Sequence, residues 1–277
     1  TRGRLRLAGR ETPCTFPMFR MPATPAHAVR SAPPSLSAMP GTVAVGTQQW
    51  RDLLFLHWPV HPAAVQATLP PGLIVDTFHG DAWVGIVPFA MARVRPRFLP
   101  PLPWLSWFLE LNVRTYVRDR AGNPGVWFYS LDCNQPVAVA LARSLFHLPY
   151  QHARMRARRE RDHEGETLQY QCRRWGQPSP PWRYAWSTKQ LGAPAADGSL
   201  DYFLVERYAL YCATARQRLY RGTVSHAPYA VHTPTVQAFD TGPATVAGFT
   251  LEGPPASALA AQPVDVTIHA LRPHGPP

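Results

Sequence analysis

"YSLDCNQPVAVALARSLFHLPYQ", Tyr129 to Gln151, contains a strand end, a helix and a sharp corner in one short run. Tyr129 to Asp132 closes an apolar strand. Pro136 suits a first helical turn, where its missing N–H costs nothing, and the small helix formers after it carry the helix forward. The pattern predicts a helix over 136–148. Pro149 stops it, because the residue before a proline is pushed towards extended backbone. The corner beyond then presents Tyr150 and Gln151 at the start of the next strand.

Working outward, "ELNVRTYV" (110–117) and "GVWFYSLD" (125–132) flank the turn-rich "RDRAGNPG" and form the clearest hairpin in the chain. Strand alternation places Glu110, Asn112, Arg114 and Tyr116 on one face and Leu111, Val113, Thr115 and Val117 on the other. Downstream, "ARMRARRERDHEGETLQYQCRRW" reads as a second hairpin about Glu164-Gly165-Glu166. Its Arg154, Arg156 and Arg158 alternate with Met155 and Ala157, as on a solvated strand face. Upstream, "WRDLLFLHWPV" reads as one buried strand ending at Pro59, and Ala63 to Thr68 as a short helix. "IVDTFHGDAWVGIVPFAMARVR" reads as two strands joined at His79-Gly80-Asp81, with Pro88 marking an edge or bulge.

"RPRFLPPLPWLSWF" (95–108) is a loop expected to pack over the mouth of the core; a lid, a partner site or a lipid-facing edge are the other roles open to it. With three or four further strands after residue 199, the count is about nine or ten strands and two helices. That predicts a mainly β fold, antiparallel and closed or nearly closed, with helices packed outside.

Composition narrows the function classes. The chain has 277 residues, 45% hydrophobic, with 9 tryptophans, enough for a packed core. The net charge of +11 does not read as a nucleic-acid surface. Part of it lies at the N-terminus, where Arg2, Arg4, Arg6, Arg10, Arg20 and Arg30 face only Glu11. Lys189 is the only lysine, a skew that suits a GC-rich genome. Residues 1–45 read as a disordered extension or as sequence upstream of a true start at Met18, Met21 or Met39, and 46–273 as one domain. No apolar run reaches the roughly 18 residues of a membrane span. Cys14, Cys133, Cys172 and Cys212 are too scattered for a zinc site or disulfide framework, which favours buried thiols in a reducing cytoplasm. Histidine spacing points to no metal, and no phosphate loop or nucleophile elbow points to a cofactor or a serine hydrolase.

The order of these segments resembles the YqjF-like family, a bacterial family of unknown function related to acetoacetate decarboxylase. The residues that carry the resemblance are "LLFLHWPV", "LPPGLIVDTFHGDAWVGIVPFAM", "ELNVRTYV", "GVWFYSLD", "ARSLFHLPY", "RYALY", "VSHAPYAV" and "VDVTI". It implies an acetoacetate decarboxylase-like closed antiparallel β-barrel with a few outer helices around a small-molecule cavity. It implies no established reaction. In the opening run Leu131-Asp132, Arg143 and Pro149 match the decarboxylase pattern, but its lysine pair falls on Tyr150 and Gln151. Imine-forming decarboxylation needs an amine of lowered pKa, which neither a phenol nor an amide supplies. Lys189, in a polar loop-like stretch, is expected to be a surface residue.

Glu110 falls near an acidic pocket residue of the decarboxylases. If its strand face looks inward, Glu110 can serve as acid or base and Arg114 can pair with a ligand carboxylate. If it looks outward, the two form a solvated ion pair. Tyr150 and Gln151 offer hydrogen bonds at the corner, and Asp132 with Arg143 is expected as a structural ion pair. The candidate set is therefore Glu110 and Tyr150 as proton carriers, with Asn112, Arg114, Gln151 and Arg143 as ligand contacts. The expected partner is a small carboxylate, with no metal, cofactor or nucleic acid, and self-association is left open. The rival functions are a lysine-independent acid/base enzyme on a keto or enol acid, and an interaction module using the 95–108 loop.

Overall fold

A computed structural model of the chain describes residues 42–275 except 162, 164, 178 and 188–190. Most of the N-terminal extension and Lys189 therefore lie outside the described residues. Asp52, with φ of 53°, divides the first apolar segment into β1 (Ala44–Arg51) and β2 (Leu53–Val60), where the sequence pattern suggested one strand. The first helix, α1 (Pro62–Gln66), is shorter than expected; His61 caps it by accepting from Ala63 N.

β3 (Leu73–Val75) and β4 (Ala82–Pro96) follow, but they are not the expected hairpin. The turn at His79-Gly80 closes only a single bridge between Phe78 and Asp81, and β3 pairs instead with β5 (Phe108–Asp119). Pro88 falls where β4 changes partners on one side: β2 reaches as far as Ile86 and β1 takes over at Ala90. β5 and β6 (Pro124–Cys133) form the expected hairpin. The predicted helix is α2 (Pro136–Phe146), capped by Gln135 at its start and ended by His147 in the left-handed region. β7 (Tyr150–Arg161) and β8 (Glu166–Arg174) form the second hairpin, its arginines exposed as expected.

β9 (Trp182–Ser187), β10 (Ala193–Pro194) and α3 (Leu200–Val205) come next, then β11 (Ala209–Ala213) and β12 (Leu219–Ser225). β13 (Ala230–His232), β14 (Val236–Ala238), α4 (Gly242–Val246), β15 (Ser257–Ala261), β16 (Val264–His269) and β17 (Arg272–His274) complete the described order. The fold is mainly β, with more strands than the pattern predicted. Part of the surplus consists of segments of two or three residues such as β10, β13, β14 and β17, too short for a periodicity to register. The rest comes from the division at Asp52 and from β9 and β15, which the pattern did not predict.

β4 pairs with β5, β5 with β6, β6 with β11, β11 with β12, β12 with β16, β16 with β1, and β1 with β4. The pairings are antiparallel except β6–β11 and β6–β7, which are parallel. A parallel neighbour needs a crossover, and α2 provides it between β6 and β7. β7, β8, β9 and β14 pair among themselves as a second layer.

β2, β4 and β5 are buried on both faces. One face sends Leu54, Ile86, Leu111 and Val113 into a core with Met155, Tyr170 and Trp186 of the second layer. The other sends Phe55, Val87, Phe89 and Tyr116 against Leu131, Tyr150, Leu204 and Tyr229. This double burial is why these strands read as almost continuous apolar runs. The outward reading of the Glu110–Arg114 face is thereby corrected. The second, inner core holds the polar residues of interest.

Candidate ligand and proton-transfer site on the inner face of β5

Glu110 is 2% exposed and lies directly opposite Cys133 of β6. The crossover through α2 sets Tyr150 beside Leu131, and the Tyr150 phenol donates to Glu110 Oε2 at 2.7 Å. The two residues singled out as proton carriers are thus in direct contact. Burial raises the Glu110 pKa to about 7, against the pull of hydrogen bonds from Tyr150 and Asn112. Burial, and then the adjoining Glu110, drive the Tyr150 phenol well above its ordinary value, so it stays protonated and donates. Tyr170 braces the strand from the opposite face by donating to Glu110 O at 2.8 Å.

Further along the same face is a second polar group. Arg114 donates through Nη2 to Leu204 O at 3.0 Å and to the Tyr116 hydroxyl at 3.3 Å. The Tyr116 hydroxyl donates to Leu204 O at 2.7 Å and lies 2.6 Å from His57 Nε2. A carbonyl cannot donate, so the Tyr116 proton is committed to Leu204 and His57 must carry its own proton on Nε2. Burial, and then the charge of Arg114, hold His57 well below its ordinary pKa, so the ring is neutral. His57 Nδ1 is consequently an acceptor, and it has no partner. Asn112 Oδ1 and Arg114 Nε are likewise buried without partners.

The third feature is the charge balance. Arg114 is 8% exposed, and among the described residues no carboxylate forms an ion pair with it. Its guanidinium instead lies 5.2 Å from the Phe55 ring centroid and 5.6 Å from that of Tyr116. Gly85, opposite both His57 and Arg114, makes room for the His57 ring. A Cβ there would come within 2.9 Å of His57 Cδ2 and 3.5 Å of Arg114 Cγ.

The other two predicted ligand contacts sit at the corner. Arg143 donates from Nε to Tyr150 O at 2.6 Å and from Nη2 to Gln151 Oε1 at 3.1 Å. Both residues therefore fix the backbone that carries Tyr150. The expected Asp132–Arg143 ion pair is absent. Fully buried Asp132 is paired in bidentate fashion with Arg174 of β8, at 2.7 Å to each oxygen. Arg143 is turned to the corner carbonyl, and the second layer supplies the charge partner.

Sequence reasoning missed His57, Gly85 and the role of Tyr116. Each left a trace: a histidine inside "LLFLHWPV", a glycine in mid-strand, and a tyrosine two residues beyond Arg114 on the same face. Clefts of about 270 Å³, beside Arg51, Arg159 and His232, and about 390 Å³, beside Pro70, Trp127 and Gln217, lie away from Glu110 and Arg114. Cys133, Cys172 and Cys212 are buried free thiols, and no metal-binding cluster occurs among the described residues.

The arrangement has the fold of acetoacetate decarboxylase-like enzymes. The acetoacetate decarboxylase of Legionella pneumophila subsp. pneumophila str. Philadelphia 1 superposes with a TM-score of 0.58 over 93% of each chain, at 14% identity. The enduracididine biosynthesis enzyme MppR, complexed with pyruvate, superposes at 0.57 over 83% of this chain and 91% of its own, also at 14% identity. Within that fold the sequence narrows the assignment. Residues 47–265 match DUF2071, described as an uncharacterized conserved protein, and the uncharacterized protein YqjF of Bacillus subtilis (strain 168) is 38% identical over 192 residues. Those residues make up 69% of this chain and 77% of YqjF. The chain belongs to the DUF2071 family.

Proposed function

We propose that the protein binds a small organic carboxylate inside a closed, decarboxylase-like barrel, with Arg114 as the anchor. The observation that carries this reading is a buried guanidinium with no carboxylate partner. Leaving such a charge uncompensated is costly, and an anionic ligand offsets that cost. Asn112 Oδ1, His57 Nδ1 and Arg114 Nε add unpartnered polar atoms of the kind a ligand or ordered water satisfies. Barrel closure is supported by the succession of pairings that leaves β4 through β5 and returns to it through β1. A neighbour of the same fold complexed with pyruvate supports a ligand of keto-acid size, by analogy of fold alone. Residues 46–273 are taken as one cytoplasmic domain, and a ligand carboxylate would compete with Leu204 O for the Arg114 guanidinium.

A second reading, acid/base catalysis on a keto or enol acid, is favoured by the Glu110–Tyr150 contact. A carboxyl with a pKa near 7 can both take and give a proton close to neutrality. Imine chemistry is not part of the proposal, because Tyr150 and Gln151 occupy the lysine-pair corner. An adduct at Lys189 after borohydride treatment with a keto acid would reverse that. The binding reading is tested by a thermal-shift screen of keto acids and aromatic acids, in which a ligand of the folded state raises Tm. A rise for the wild type that is lost in Arg114→Ala is expected. No shift for any acid, or a full shift in the variant, would remove Arg114 as the anchor.

A further inference from the structure

The loop between β4 and β5 does not pack over the core as expected. Ser106 and Phe108 are buried, but Phe98 is 89% exposed, Trp104 68% and Trp107 44%, with Leu99 and Leu102 exposed between them. Gln135 Nε2 donates to Trp104 O at 2.9 Å, so the loop meets the start of α2. There a second apolar group is uncovered: Val137, Leu141 and Leu145, four residues apart along the helix and all exposed. Large apolar side chains clustered this way mark a contact surface, unlike single exposed hydrophobics.

The charge around this surface identifies what covers it. Segments 93–107 and 136–146 contain no Asp or Glu, while Arg93, Arg95 and Arg97 are exposed where the loop begins. Arg97 lies 4.7 Å from the Phe98 ring centroid, so cation and aromatic ring form one unit. A two-fold contact with a second copy would set arginine against arginine with no carboxylate from these segments between them. Tryptophan, leucine and phenylalanine beside arginine are the chemistry of an interfacial anchor: rings enter the acyl boundary while guanidinium groups meet lipid phosphates. No helix among the described residues is long and apolar enough to cross a membrane. We propose that the 95–108 loop and the exposed face of α2 dock the protein onto an anionic lipid surface, independently of the ligand assigned to Arg114.

The test is co-sedimentation of the full chain with phosphatidylcholine vesicles, with and without phosphatidylserine. The expected result is pelleting with the anionic vesicles and not with the neutral ones. Arg95→Gln with Arg97→Gln should weaken the binding about thirtyfold, since each basic residue near such a surface contributes about fivefold. The arginines of the N-terminal extension would attract these vesicles too, so the deciding variant keeps every arginine. Trp104→Ala with Trp107→Ala should weaken binding at least about tenfold at unchanged Tm. Should that pair fold poorly, Phe98→Ser with Leu102→Ser makes the same test at two other exposed apolar positions of the loop. Binding that survives the loss of the apolar residues would overturn the proposal, as would failure to bind anionic vesicles. So would a dimer in sedimentation velocity that the tryptophan substitutions dissociate, because a second copy would then be the occupant.

Discussion

Tyr150 donates to Glu110 across the parallel junction that α2 makes between β6 and β7, joining residues forty positions apart at 2.7 Å. The contact places a protonated phenol against a carboxyl raised to about 7.

A carboxyl raised on folding has a defined effect on stability. Between the unfolded value of 4.5 and the folded value of about 7, the native state holds a proton that the unfolded chain has lost. Its contribution is full below pH 4.5 and falls as pH rises towards 7, by about 3 kcal/mol in all. His57, depressed on folding, acts in the opposite sense, losing stability as pH falls below 6.5. Comparing wild type with Glu110→Gln cancels the histidine effect. In urea unfolding, Glu110→Gln should match wild type near pH 4.5 and exceed it at pH 8. Equal stabilities at both pH values would mean that Glu110 is not held protonated.

Tyr150→Phe removes the donor and leaves the burial of Glu110 in place. The carboxyl should then titrate above its wild-type value of about 7, seen by carbon NMR of labelled glutamate. The lost hydrogen bond should cost about 1 kcal/mol of stability. A downward move of the titration would contradict the donor assignment.

Gly85 touches the site through space it leaves free. Gly85→Ala should displace the His57 ring, at a cost of about 1–3 kcal/mol. The imidazole shifts in NMR spectra should change with it. A variant with unaltered His57 resonances would show that the glycine is there for another reason.

Much of this fold is legible in the sequence, and the residues that mislead do so for physical reasons. The β5–β6 and β7–β8 hairpins and α2 carry long periodic patterns bounded by turn residues, and all three form as predicted. β3 is three residues long and joins β5 instead of β4, a choice of partner that no local pattern encodes. The inward face of β5 could not be chosen from alternation alone, because Leu111 and Val113 on its other side are equally buried. Asp132 finds Arg174, distant in sequence, where chain proximity had suggested Arg143. The apolar loop looked like a cover for the core, yet its rings are turned outward.

That exchange of partners predicts unequal effects. Asp132→Ala strands a mostly buried Arg174 and should cost about 3–5 kcal/mol. Arg143→Ala removes hydrogen bonds at a partly exposed corner and should cost about 1–2 kcal/mol. Chemical denaturation of the two variants decides the point, and a larger loss at Arg143 would favour the pairing first expected from sequence.

The central claim is that Arg114 waits for an anion. The direct measurement is isothermal titration calorimetry of pyruvate, phenylpyruvate and benzoate into the wild type and Arg114→Gln, the variant that removes the charge and keeps a polar amide donor. At least one acid should bind the wild type, with affinity reduced at least about thirtyfold in Arg114→Gln. Equal affinity in the two proteins, or no binding of any of the three acids to the wild type, would contradict the account.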